Sequence, residues 1–309
     1  MRELLELAVY GVLLGSIIAL GAIGLTLIYG ILRFANFAHG ELMTVGAYVV
    51  LFLVTDFFVW MRIPDTTLGP FSFGYRMLLS FPLGMLFVAC LAVFINKILI
   101  APLKSRNSGS VVLAISSLGV SFILRSIIFI IWGADFHYYN PGKMRPAIAL
   151  PLGINIRPDQ ILILIIVFSL VFSLHIFLTK TRMGKAMRAT SDNLELAWIT
   201  GIDTDKVILW TWCIGGALAA AGGILYGIDV QLRPGMGWHF ILPLFAATIL
   251  GGIGNVYGAF LGGMVIGIVQ QLSTAIPYIQ PTYKPAVAFI IMIVILLFRP
   301  QGIFGQAKK

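Results

Sequence analysis

Charge is what this sequence has least of. Of its 309 residues, 11% are Asp, Glu, Lys or Arg and 59% are hydrophobic, whereas a soluble domain averages about 25% charged and about 45–50% apolar residues. Such a chain has too few polar groups to cover a surface in water, and extended disorder and collagen-like repeats are excluded with it. Its solvent is a bilayer. Cysteine is nearly absent: Cys90 and Cys213 each lie in an apolar run without a ligand-spaced partner and read as packed thiols. A disulfide scaffold and a thiolate metal centre are therefore excluded. The chain has no G-x-x-x-x-G-K-[ST], no H-E-x-x-H and no G-x-S-x-G, so it carries no recognisable loop for hydrolysing ATP. Histidines 39, 137, 175 and 239 are scattered without helical pairing, which suits hydrogen-bonded or interfacial roles. Carboxylates are outnumbered 12 to 21 by Lys and Arg. The cations sit in short loops rather than on one face, so they read as topology determinants and not as a nucleic-acid surface.

What the sequence does have is apolar length. A hydrocarbon core of about 30 Å takes about 20 apolar residues of helix. Residues 7–32 carry no charge, are too long for a signal-peptide core and show no clear cleavage site, so they read as a retained span. Further runs cover 42–60, 78–100, 111–132, 160–179, 207–228, 240–274 and 286–298. The run 240–274 is cut by Gly251-Gly252-Ile253-Gly254-Asn255, and counting it as one or two crossings gives eight or nine spans. The expected architecture is all-α and polytopic, a single integral membrane domain over 1–309. Only 133–159 and 180–206 are sizeable non-membrane segments, and neither is long enough for a soluble catalytic domain. With 180–206 in the cytoplasm and 240–274 crossing twice, twelve Lys and Arg fall inside and eight outside, Arg125 being the last of the 21.

Charges within the spans are few, which argues against a self-sufficient ion-coupled carrier, because moving an ion needs a partner at mid-membrane. Arg125 lies seven residues before Trp132, roughly 10 Å along a helix, within reach of snorkelling to the outer surface. Asp56 and Asp229 fall near outer ends, and Glu41 starts the second run. Glycine is abundant, with 33 residues. Gly254, Gly258 and Gly262 recur every four positions, Gly263 and Gly267 do so one position on, and Gly11, Gly15 and Ala19 repeat the spacing in the first run. Small residues so spaced make a flat helix face that another backbone can approach closely. Such faces also suit helices that slide.

Two polar stretches interrupt the apolar pattern. The first, Arg33-Phe-Ala-Asn36-Phe-Ala-His39-Gly40-Glu41, has two readings. It is a cytoplasmic turn with Asn36 or Gly40 at the bend, or a broken helix whose polar groups are buried in protein or face a wet cavity. The second is the loop 180–206. Asp192 followed by Glu195 predicts an N-cap with a capping-box partner, and Gly201 predicts a C-terminal stop. Leu194, Ala197 and Trp198 fall on one face of the short helix between them. An amphipathic helix with an exposed Trp needs a cover, whether the bilayer interface, the protein's own spans or a partner subunit.

In this loop, Glu195-Leu-Ala197-Trp198-Ile-Thr-Gly201 resembles the E-A-A-x-x-x-G coupling motif of bacterial ABC importer permeases. Three more stretches are similar to the permease of branched-chain amino acid importers: N-F-A-H-G-E-L-M-T-V-G-A-Y from Asn36, L-G-G-I-G-N-V-Y-G-A-F-L-G-G from Leu250, and F-R-P-Q-G-I-F-G from Phe298. A-P-L-K from Ala101 and R-M-G-K-A-M-R-A from Arg182 extend the resemblance nearly end to end. It implies an ABC importer permease fold in the cell inner membrane. It also implies a coupling helix docked in a groove on a cytoplasmic ATPase, with Glu195, Ala197 and Gly201 carried over by position; Arg188, Asp192 and Trp198 of the same loop join them as coupling candidates. From the polar break and the glycine pattern, Asn36, His39, Gly40 and Glu41 with Gly251, Gly252 and Gly254 are the candidates for the translocation path, and Gly258, Gly262, Gly263 and Gly267 for helix packing. Leu196 stands at the motif's second position in place of its first Ala, and Pro243 stands where some members carry Lys.

The implied partners are a second homologous permease, two cytoplasmic ATPase subunits, and a substrate-binding protein on the outer side. No cofactor is expected in the chain itself, since ATP is used by the partners. The implied substrate is a branched-chain or similarly small, apolar amino acid, translocated rather than chemically changed. Because the binding protein would confer selectivity, no sharply defined substrate site is expected here. A urea or amide importer is the alternative, followed by an ion-coupled amino acid carrier. His39 and Glu41 as an acid–base pair lack a third group, so an enzyme has little to stand on.

Overall fold

The structure is a computed structural model, and it describes residues 2–140, 146–149, 155–276, 280–298 and 302–304. Arg299–Gln301 and Gly305 of the C-terminal motif lie outside the described residues, as do Lys143, Arg145, Lys308 and Lys309 of the charge count. The chain opens with α1 (Arg2–Leu32). Residues 33–38 lead into α2 (His39–Phe52), which continues through a π-helical turn, Leu53–Phe57, into α3 (Phe58–Trp60). A second π-helical turn, Asn96–Ile100, joins α4 (Tyr75–Ile95) to α5 (Ala101–Ser105). Then come α6 (Ser110–Trp132), α7 (Pro158–Lys180), α8 (Arg182–Asp192) and α9 (Leu194–Ile199). The chain closes with α10 (Thr204–Asp229), α11 (Met236–Gly251), α12 (Val256–Leu272) and α13 (Lys284–Phe298). The regular strands among the described residues are Ile148–Ala149 and Asn155–Ile156, paired antiparallel.

Seven helical segments among the described residues are long and apolar enough to cross a bilayer, and α11 and α13 are shorter apolar helices. The expected eight or nine spans thus become seven long helices and two short ones. The 16 residues of α11 reach about 24 Å, less than the hydrocarbon core of about 30 Å.

Side-chain contacts sort the loops onto two faces. On one, the Arg33 guanidinium donates to Ser191 O at 2.6 Å, and Leu32, Lys97, Lys104, Leu194 and Lys206 share one cavity. On the other, Tyr10 donates to Asn155 O, Arg157 pairs with Asp229 at 2.7 Å, and Tyr138 donates to Gln231. The face carrying 180–206 is the cytoplasmic one in the frame set by the positive charges.

At the centre stands α1. Of its most apolar stretch 89% is buried, against 22% for α7, so α1 is walled by protein while most of α7's apolar surface is left uncovered by the chain. Lipid tails are as apolar as leucine, so helix association here depends on close packing. The glycines supply it. A Cβ at Gly15 would lie 2.9 Å from Met264 Cα, and one at Gly263 would lie 2.5 Å from Ala19 Cα. Around α12, Gly258 and Gly262 press on the backbone of Gly251 and Ala247 in α11, while Gly263 and Gly267 press on Ala19 and Gly15 in α1. Two glycine faces of α12 thus seat two different helices.

Candidate functional site

The first polar stretch does not form a turn at the cytoplasmic surface. After Leu32 the chain climbs back beside α1, and α2 begins with His39 Nε2 3.0 Å from Gly21 O. Gly21 lies eleven residues before Leu32, so His39 sits roughly 16 Å above the inner end of α1. Irregular backbone at that depth must find its hydrogen bonds in protein. The Phe37 N–H donates to Ser117 Oγ at 3.0 Å, and the Ala38 N–H donates to Asn36 Oδ1 at 3.2 Å. Asn36, His39, Gly40 and Glu41 are all buried, Gly40 against the backbone of Gly237 in α11. The Thr44 hydroxyl accepts the Gly237 N–H at 2.9 Å and ties the starts of α2 and α11 together.

The outward snorkelling expected of Arg125 is corrected by its partner. Its Nε and Nη2 donate to Glu41 Oε1 at 2.9 and 2.5 Å, and Glu41 is 1% exposed against 18% for Arg125. The guanidinium also lies 4.7 Å from the Trp238 ring centroid and 5.7 Å from that of Phe122. Opposite charge draws Arg125 inward more strongly than the outer surface draws it out, because Glu41 is buried and needs a cation. Ser117, Ser121 and Arg125 recur every four residues on α6, so one face of that helix meets α2 as a polar seam. Among the described residues, Glu41 Oε2 and Ser121 Oγ on this seam, Asn36 Nδ2 and His39 Nδ1 at the start of α2, and Tyr48 OH further along it are buried without a hydrogen-bond partner. This part of the fold therefore holds hydrogen-bonding capacity that the chain itself leaves unused.

Gly251, Gly252 and Gly254 lie elsewhere, in the tight turn from α11 to α12 on the face that carries 180–206. Gly252 and Gly254 have φ of 95° and 86°, a conformation that side chains rarely adopt. Asn255 Oδ1 caps α12 by accepting from Tyr257 N and Gly258 N, both at 3.1 Å. The Gly254 N–H donates to Thr26 in α1, and Ile303 N donates to Leu250 O as the C-terminal segment folds across the turn.

Beside this turn sits the element α8–α9. Thr181 caps α8 by accepting the Gly184 N–H at 2.9 Å, and α8 runs on to Asp192. The expected cap at Asp192 with Glu195 as its box partner is therefore corrected by one residue. Asn193 leaves the helical region at φ −150° and accepts the Leu196 N–H at 3.0 Å, which puts Glu195 in the second position of α9. Asp192 is occupied by α8 and cannot serve both helices. Gly201 follows α9 at φ 85° with nothing near its Cβ position, and Ile202 N closes onto Ala197 O at 3.0 Å. Ala197 is buried and Leu194 half-buried, while Leu196, Trp198 and Ile199 are 58%, 69% and 73% exposed. Glu195 and Arg188 are exposed; Arg188 also borders a small cavity with Thr26, Ser191 and Gly254. The foot of α1 meets this element twice. Arg33 donates to Ser191 O, and a Cβ at Gly30 would lie 2.9 Å from Ser191 Oγ and 3.2 Å from Gly254 Cα.

Residues 7–296 match the family described as "Branched-chain amino acid transport system / permease component". The chain belongs to that family. The permease is 35% identical over 307 residues to the high-affinity branched-chain amino acid transport system permease protein LivH of Escherichia coli K12, covering 96% of this chain and 94% of that one. It is 32% identical over 308 residues to the corresponding protein BraD of Pseudomonas aeruginosa PAO1, with 98% and 96% covered. It is 30% identical over 322 residues to a probable branched-chain amino acid transport permease protein LivH of Methanocaldococcus jannaschii, with 96% and 91% covered. Within this permease the sequence-level candidates separate into a buried seam at the start of α2 and a cytoplasmic element touching α1. Arg125, Arg33, Ser191 and Asn193 complete those two places and were not among the candidates. For Arg125 a signal existed: a lone cation inside an apolar run, opposite in charge to Glu41 at the start of another.

Proposed function

We propose that this chain is a membrane-spanning subunit of an ABC importer in the cell inner membrane, translocating branched-chain or similarly small, apolar amino acids. It pairs with a second homologous permease, stands on two cytoplasmic ATPase subunits and receives substrate from an outer binding protein. The observation that carries this reading is α9. Its apolar residues Leu196, Trp198 and Ile199 are exposed on the cytoplasmic side, where an ATPase groove would cover them. Its inner side is fixed by buried Ala197 and by α8.

Closure of the ATPases on ATP then moves α8–α9 as a rigid piece. The displacement passes to α1 through Arg33–Ser191, and to α11 and α12 through Gly30, Ser191 and Gly254. Because α1 is the central helix, a shift at its foot reaches the glycine seams against α12. Faces without interlocked side chains let those helices slide past one another.

The test is reconstitution of the complete importer in liposomes with the binding protein outside and ATP inside. ATP-dependent uptake of leucine is expected, lost on Gly201→Pro or Ala197→Trp together with ATPase association, while membrane insertion persists. Normal assembly and uptake in both variants would remove the coupling role. Uptake of urea in place of leucine would overturn the substrate class.

A further inference from the structure

A cavity of about 490 Å³ opens between α1, the end of α10, the first turns of α11, the end of α12 and the start of α13. That volume is within the range of small-molecule sites, roughly 300–1,000 Å³. None of the path candidates named from sequence lines it. Its apolar lining includes Leu14, Phe240 and Pro243, and its charged groups are Asp229, Arg233 and Lys284. The cavity lies on the same face as Tyr10, Asn155 and the Arg157–Asp229 pair, opposite α9.

Its charges are not balanced within the fold. Asp229 Oδ1 already accepts from Arg157 at 2.7 Å and from Gln160 at 2.9 Å. Lys284 Nζ donates to the neutral Gln271 Oε1 at 2.7 Å. Among the described residues neither Arg233 nor Lys284 makes an ion pair with a carboxylate. Two cations in one partly enclosed cavity, without an anion of their own, favour a ligand that brings a carboxylate. The same cavity offers acceptors for an ammonium. Asp229 Oδ2 receives no hydrogen bond from Arg157 or Gln160. Pro243 has no N–H, so it leaves the carbonyl of His239, another residue of the lining, without its helical donor.

We infer that this cavity is an outward-facing station for a zwitterionic amino acid. Its carboxylate lies by Arg233 and Lys284, its ammonium by Asp229, and its apolar side chain by Leu14, Phe240 and Pro243. The inference rests on the proposed function and gives the chain a substrate site of its own, where the sequence led to none. A urea or amide solute has no carboxylate to answer the two cations, so the cavity also favours the amino acid over that alternative.

The experiment uses the complete importer in liposomes, with leucine-loaded binding protein outside and ATP inside. The variants are Arg233→Gln, Lys284→Gln and Leu14→Phe, each taken forward once it co-purifies with the ATPase subunits in wild-type yield. Each lost cation is expected to lower leucine uptake about tenfold or more, with Lys284→Arg restoring most of it. Leu14→Phe fills the apolar end and is expected to lower leucine uptake more than alanine uptake, a change in selectivity that a merely structural residue would not produce. Wild-type uptake and selectivity in all three variants would overturn the station while leaving the proposed function intact. Failure of the wild-type importer to move any apolar amino acid would sink the proposed function, and the station with it.

Discussion

Removing Arg125 should damage this protein more than removing Glu41 and Arg125 together. Glu41 is 1% exposed and takes two hydrogen bonds from Arg125. Arg125→Met leaves that carboxylate buried without its cation, a defect that costs about 3–5 kcal/mol in comparable settings. Glu41→Gln keeps an oxygen acceptor, and the guanidinium, 18% exposed, retains the face of Trp238; a cost of about 1–3 kcal/mol is expected. The double variant Glu41→Met/Arg125→Met removes both charges and fills the space with apolar atoms, so it should lie within about 1 kcal/mol of wild type. Unfolding in mixed micelles titrated with sodium dodecyl sulfate gives these stabilities, and the double-mutant cycle, completed with Glu41→Met alone, gives the coupling. Additivity of Glu41→Met and Arg125→Met to within about 0.5 kcal/mol would show that the two side chains do not depend on each other, and the geometry read here would be wrong.

Other expectations follow from the seams and the cytoplasmic element. Gly263→Leu must push α12 from α1, where even a Cβ would lie 2.5 Å from Ala19 Cα. A loss of about 1–3 kcal/mol or more is expected, whereas Gly119→Ala, with nothing within 4 Å, should be neutral or stabilising; thermal midpoints in nanodiscs compare the two. Asn193→Ala should weaken α9 by about 1 kcal/mol and Asp192→Ala by less than about 0.5 kcal/mol, read as retained affinity for the ATPase subunits; the reverse order would return the cap to Asp192. Gly201→Ala forces a Cβ into φ 85°, with a strain of about 1–2 kcal/mol, and should reduce ATPase affinity without the complete loss expected of Gly201→Pro.

The membrane class, the all-α architecture and the glycine spacing were legible because each depends on a local pattern. Gly258 and Gly262 share a helix face through their four-residue spacing alone, and Gly263 and Gly267 do the same, whatever helix lies opposite, whereas Gly254, at the same spacing, falls in the turn before the cap at Asn255. What packs on each face was not legible, since α11 and α1 compete for two stripes set one residue apart. The depth of Asn36 and His39 was open for the same reason: a turn and a re-entrant break share one sequence, and the difference lies in contacts with Gly21 and Ser117. Glu41 and Arg125 are 84 positions apart, so neither residue's neighbours announce the pair. At Asp192-Asn193 two good capping residues stand side by side, and the Glu three positions after Asp192 favoured the wrong one. The choice was made by α8, whose own cap at Thr181 and length carry it through Asp192.

Leucine accumulation by this chain reconstituted alone, compared with the complete importer, tests the central claim most directly. The account predicts no accumulation by the chain alone under any imposed proton or sodium gradient, and ATP-dependent accumulation once the second permease, the ATPases and the binding protein are present. Gradient-driven accumulation by the chain alone would contradict it.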